Sequence, residues 1–134
     1  MLYFFGMPVE LSSDGDFYTD NFTTDELRCR CASCNRQKPH SIPLVKLLKF
    51  QKLREKINRP FTPNSAYRCH QHPEEVAKEN GPGEHNRGAM DIPCASGAEK
   101  GWLIENALSL GAKGIGVYDN FVHVDFREGV LVVW

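Results

Sequence analysis

The chain has 134 residues, 41% hydrophobic and 25% charged, with a formal net charge of -1 at pH 7. That length fits one domain with its own core, and the balance excludes disordered and fibrous classes. Without a run of Lys and Arg there is no electrostatic footprint for a nucleic acid, and no stretch reaches the roughly 18 apolar residues that cross a bilayer. Neither nucleic acid nor membrane is expected as a partner, and a monomer is expected.

The opening residues, Met1 to Pro8, are apolar for a short stretch, with no basic flank and no small-residue cleavage site. They do not read as a signal peptide, which predicts a chain that is cytoplasmic as synthesised. Residues 1–22 mix aromatics with Ser12, Ser13, Asp14, Gly15 and Asp16 without a sustained period, predicting an irregular arm that contains a turn. A single domain is expected over 23–134. Thr23 and Thr24, followed by Asp25 and Glu26, supply capping chemistry for a short helix, and the cysteine-rich stretch Cys29 to Cys34 reads as a loop. Between Ser41 and Ile57, Leu44, Leu47, Leu48 and Leu53 recur at helical spacing, which makes this the main core helix, ended by Pro60.

Phe61 to Tyr67 reads as extended, a short polar helix is expected around Pro73 to Lys78, and the Gly-rich loop Asn80 to Gly83 leads to His85. Gly97 to Leu110 carries a second amphipathic pattern, closed by Gly111. Beyond it, Ile115, Val117, Phe121 to Phe126 and Leu131 to Trp134 predict antiparallel strands joined by hairpins, with Asp119-Asn120 as a turn. The fold class is therefore α+β, a small antiparallel sheet packed with two main helices.

Candidate chemistry gathers in two places. His85 lies in a Gly-flanked loop, and Asp91 opens an apolar strand. His123 and Asp125, two apart on a strand, share one face, while Val122 and Val124 take the other. Catalytic Zn²⁺ commonly takes three His or carboxylate ligands and keeps one position for water, whose pKa falls toward about 7. His85, Asp91 and His123 suit that requirement, although a hydrogen-bonded strand His and a capping Asp fit the same short spacings. The second place is Cys29-x-Cys31-x2-Cys34, with His40 and Cys69 further on. A structural metal, a disulfide from this loop to Cys69, and free buried thiols all remain open. Five cysteines cannot all pair within one chain, so a reduced, intracellular state is the simpler expectation, with Cys94 packed in the core. His70 and His72 either line a cleft or lie in solvent.

The phrases Asn64-Ser65-Ala66-Tyr67-Arg68-Cys69, His85 to Ile92, Gly114-Ile115-Gly116-Val117-Tyr118 and Phe121-Val122-His123-Val124-Asp125, with Trp134, occur in an order that resembles the D-alanyl-D-alanine carboxypeptidase-type zinc peptidases. The short bacterial and phage murein hydrolases are the branch most similar, over about Phe22 to Trp134. The resemblance implies the fold shared with hedgehog domains and lysostaphin-type endopeptidases, Zn²⁺ as cofactor, and His85, Asp91 and His123 as its ligands. It implies peptidoglycan stem peptides as substrate, with Arg68 binding substrate and stabilising the oxyanion. Compared with the family phrase His-x-x-Gly-x-Ala-x-Asp, one residue is missing, because Ala89 follows Gly88 directly; His85 lies in the loop, so the loop can absorb the loss. Relatives place a Glu three residues before the last zinc His or a His two before it, where this chain has Asn120 and Phe121. Asp125 is then the candidate to take a proton from water, or else it orients His123 or Arg68. The expected setting is a phage lysin or virion hydrolase reaching the wall after lysis or injection. A non-catalytic wall-binding or assembly module of the same fold is the alternative.

Overall fold

The structure, a computed structural model, describes residues 2–81 and 83–134. Met1 and Pro82, which belong to the expected arm and Gly-rich loop, lie outside the described residues. Strands β1 (Leu2–Phe4), β2 (Met7–Leu11) and β3 (Phe17–Thr19) form an antiparallel meander. An irregular arm was expected there, and the reason for the difference is local. Phe5 and Gly6 turn the first hairpin with φ of 52° and 75°, the positive values that two-residue hairpin turns require and that Asn or Gly normally supplies. A Phe at the first position hides the turn, and Pro8 inside β2 breaks the strand signal. Val9 in the meander is fully buried, and Thr19 fastens the meander to the rest of the molecule by donating its hydroxyl to Gln51 Oε1 at 2.7 Å.

Helix α1 (Thr24–Leu27) starts as the sequence predicts, with Thr23 and Glu26 forming a capping box. The main helix α2 (Leu44–Ile57) begins after Pro43 and ends on Asn58 in the left-handed region. Its Leu47, Phe50 and Leu53 are completely buried, each contributing about 1.5–3 kcal/mol by transfer from water. After α3 (Pro73–Val76) and one 3-10 turn (Glu84–Asn86) the chain enters β4 (Ala89–Pro93), then α4 (Gly97–Ser109), β5 (Gly114–Val117), β6 (Phe121–Asp125) and β7 (Val132–Val133). Ser96 caps α4 by accepting the Glu99 N–H at 3.2 Å.

The second sheet has the order β4-β6-β5-β7. β6 pairs antiparallel with β4 and with β5, as alternation predicts. The last strand departs from the expected hairpin: β7 runs parallel to β5, with Gly114 opposite Val132. Both edges of β6 are already paired, so the chain that follows must return to the open edge of β5. One face of this sheet, with Met90, Ile92, Ile115, Val122 and Val124, shares the main core with Leu47, Phe50 and Leu53 of α2 and Leu103 and Ala107 of α4. Phe50 and Phe126 meet edge to face at 4.9 Å within it. The opposite face carries Asp91, His123 and Asp125. The result is an α+β fold, and among the described residues no helix is long and apolar enough to cross a membrane.

Candidate metal centre

Strand register brings the three sequence-predicted ligands together. Asp91 on β4 sits directly opposite His123 on β6, so their side chains emerge side by side on the face away from the core. His85 arrives from the 3-10 turn that precedes β4. Gly88 follows with φ of 107°, where an added Cβ would approach Ile42 at 3.2 Å, so the turn lies tight against the start of α2. His85 Nε2 and His123 Nδ1 each lie 3.1 Å from Asp91 Oδ1. A tetrahedral ion bound at about 2.0–2.1 Å would space its ligand atoms about 3.3 Å apart.

The far nitrogen of each imidazole decides what the near one offers. His85 Nδ1 lies 2.6 Å from the carbonyl of Ala66, which can only accept, so Nδ1 carries the proton and Nε2 presents a lone pair. His123 Nε2 lies 2.7 Å from Asp125 Oδ2 and is protonated for the same reason. Two ring lone pairs and a carboxylate oxygen thus face one point, an arrangement that a cation satisfies. Burial pushes the Asp91 carboxyl up, but the imidazoles of His123 and His85 outweigh it and hold the group well below the usual carboxylate range. Burial pulls His123 down, yet Asp125 and Asp91 raise it on balance. The site attracts positive charge.

Asp125 is fully buried and has no free oxygen. Oδ2 accepts from His123 Nε2 and from Arg127 Nη2 at 2.8 Å; Oδ1 accepts from Arg127 Nε at 2.8 Å and from its backbone N–H at 3.1 Å. Burial raises this carboxyl, and the Arg127 and His123 contacts overcome that and keep it ionised. Of the two roles left open by the sequence, this geometry suits orientation of His123. Gly114, opposite Asp125 in β5, makes room for it: a Cβ there would collide with the carboxylate. Arg127 escaped the sequence reading, and Gly114 entered it only as the first residue of the Gly114 to Tyr118 phrase. The only signal for Arg127 was its position two residues beyond Asp125.

Arg68 reaches the same centre from the extended segment before α3. Its Nη2 lies 3.5 Å from Asp91 Oδ2, its Nε donates to Ser65 Oγ at 3.1 Å, and its Nη1 pairs with Glu74 at 3.0 Å. His85, Asp91, His123 and Arg68 line a cleft of about 620 Å³, with Glu74, Glu84, Tyr118, Phe121 and Trp134 on its walls. Tyr118 and Phe121 stack at 4.4 Å, and Trp134 donates through Nε1 to Tyr118 Oη at 2.8 Å while its ring lies 5.0 Å from His123. Gly116 leaves space for that indole, since a Cβ would come within 2.6 Å of it.

The remaining candidates separate. Cys29, Cys31, Cys34 and Cys69 cluster away from the cleft as free thiols. His40 does not join them: its Nε2 donates to the Phe17 carbonyl at 2.7 Å, and Asp16 lies beside it. Cys94 is buried in the main core, as expected. His70 is exposed, and His72 caps α3 by accepting the Glu74 N–H.

No curated protein matches the sequence. The family model described as Peptidase M15 matches residues 20–125, a span that takes in all three ligands, Arg68 and Asp125. Families of this type are generally zinc peptidases, and the His85, Asp91, His123 group is able to hold a metal ion. With most of its length matched, and with an α+β fold that places those residues together, the chain belongs to the peptidase M15 family.

Proposed function

We propose that the chain is a zinc-dependent peptidase that hydrolyses peptide bonds in peptidoglycan stem peptides or their cross-links. The observation that carries this reading is the convergence of His85 Nε2, His123 Nδ1 and Asp91 Oδ1 on one point at the foot of an open cleft. Zn²⁺ held there supplies a Lewis acid that polarises a carbonyl and lowers the pKa of bound water toward about 7.

The protein's own residues do the rest. Arg68, steadied by Ser65 and Glu74, presents a planar, permanently charged donor beside the metal ligands and stabilises the oxyanion as the peptide carbonyl becomes tetrahedral. Asp125, clamped by Arg127, fixes the ring and tautomer of His123. Tyr118, Phe121 and Trp134 give the substrate an apolar wall. Glu74 and Glu84 are the acids on the cleft wall besides Asp91, and each, like Asp125, is already paired with an arginine.

Zinc-loaded protein incubated with purified peptidoglycan is expected to release newly cleaved stems, detected by mass spectrometry of the muropeptides, and His123→Ala is expected to release none. The engaged carboxylate of Asp125 favours a second reading, a non-catalytic module that binds wall peptides with the same cleft. Intact stems after incubation with fully zinc-loaded protein would support that reading over the first.

A further inference from the structure

Four sulfurs outside the cleft converge as the cleft ligands do. Cys29, Cys31 and Cys34 come from the loop after α1, and Cys69 follows Arg68 in the chain. Their Sγ atoms all lie within 4.8 Å of one another, and the three loop cysteines are buried. A tetrahedral ion with metal–sulfur bonds of about 2.3 Å separates its sulfurs by about 3.8 Å, and Cys31 and Cys69 already stand 3.5 Å apart.

The backbone around them is folded tightly by its own hydrogen bonds. Cys34 and Asn35 both donate to the Cys31 carbonyl, at 3.1 and 2.7 Å, and Arg36 donates to the Cys29 carbonyl at 3.0 Å. Asn35 and Arg36 hold φ of 43° and 61°, so the loop doubles back around the cluster. A disulfide needs a bond of about 2.0 Å and joins only two of the four sulfurs, which leaves the convergence of the other two without a cause. Four closely spaced thiols in a closed shell are instead the donor set of a structural zinc, with no position left for substrate.

We propose that Cys29, Cys31, Cys34 and Cys69 hold a structural Zn²⁺, distinct from the cleft, that fastens the loop after α1 to the segment carrying Arg68. The same two stretches are already joined by Tyr67 N–H to the Leu27 carbonyl at 3.1 Å and by Arg30 to the Asn64 carbonyl at 2.9 Å. The ion completes that seam one residue from Arg68, which makes the thiol cluster a positioning device for the cleft arginine. The site does not depend on the peptidase reading, because it stands whether or not the cleft turns over a substrate.

Metal content by mass spectrometry, on protein purified with reductant and dialysed against metal-free buffer, tests the proposal. The two donor groups predict two zinc equivalents in the parent chain and one in His123→Ala. Replacing that retained ion with Co²⁺ is expected to give the intense near-ultraviolet bands of thiolate-to-metal charge transfer. Cys34→Ser should lose those bands, and Cys94→Ser should keep them. Stripping the ion from His123→Ala with a strong chelator is expected to speed hydrogen exchange at the Tyr67 to Cys69 amides. A metal-free His123→Ala chain, Co²⁺ spectra without thiolate bands, or a Cys31 to Cys69 disulfide in anaerobically isolated protein would overturn the site. Unchanged exchange after chelation would overturn its role in holding Arg68.

Discussion

The two donor clusters differ in how the chain assembles them. His123 and Asp91 are 32 residues apart and meet only because β4 and β6 pair in one register; a slip of one residue would turn Asp91 into the core. Three of the four thiols lie within one loop, brought together by tight local turns, and only Cys69 is distant. The cleft offers three donors beside an open space of about 620 Å³, whereas the thiol cluster offers four, three of them buried and Cys69 half-buried. An open coordination position is what distinguishes catalytic from structural zinc sites in general.

Breaking the cleft alone gives the largest effect. His123→Ala removes a ligand on which Asp91 and Asp125 both converge, and is expected to cost several kcal/mol of transition-state stabilisation, about a thousandfold in kcat/KM, with the thiol cluster intact. Muropeptide release rates with thiol titration alongside would check both halves. Arg68→Lys keeps the charge but loses the planar fork, and is expected to lower kcat by about 10²–10³-fold without changing zinc content. A variant that lost zinc in step with activity would make Arg68 a support for Asp91 instead. Gly114→Ala forces Asp125 out of its pocket and is expected to weaken metal affinity about 10–100-fold, read by competition with a chromophoric chelator. Unaltered affinity would mean that His123 needs no clamp.

Much of this was legible in the sequence, unevenly. The helical period of Leu44, Leu47 and Leu53 and the alternation of Val122, His123, Val124 and Asp125 both report burial, and burial is what the fold enforces. His85, Asp91, His123 and Arg68 were singled out only by the order of whole phrases that resembles a family, because a hydrogen-bonded strand His and a capping Asp fit the short spacings as well. The arm over residues 1–22 was misread because a Phe5-Gly6 turn and a strand proline carry no common signature. The parallel placement of β7 follows from which sheet edge is free, a property of the assembled sheet. Arg127, which decides what Asp125 can do, was hidden because an arginine near a strand end looks like any solvated charge until its partner is known.

The smallest expected effect lies between the two clusters, at Glu75. Its side chain is fully buried, pairs with Lys78 at 2.8 Å, accepts the Gly83 N–H at 2.7 Å and stands 3.6 Å from Arg68. It therefore ties the Arg68 segment to the loop that leads into His85. Burial raises its carboxyl, but Lys78, the Gly83 N–H and Arg68 together hold it below the ordinary value of 4.5. The unfolded chain takes up the proton first as the medium becomes acidic, so the stability this group contributes is complete above pH 4.5 and is lost as pH falls through the lowered folded value. Glu75→Gln is expected to cost about 1 kcal/mol at neutral pH and to make stability less sensitive to acid. Urea unfolding of parent and variant at neutral pH and below the ordinary carboxylate range would show the two curves converging. Parallel curves would place the acid sensitivity elsewhere, with Asp91 and Asp125 as the groups to test next.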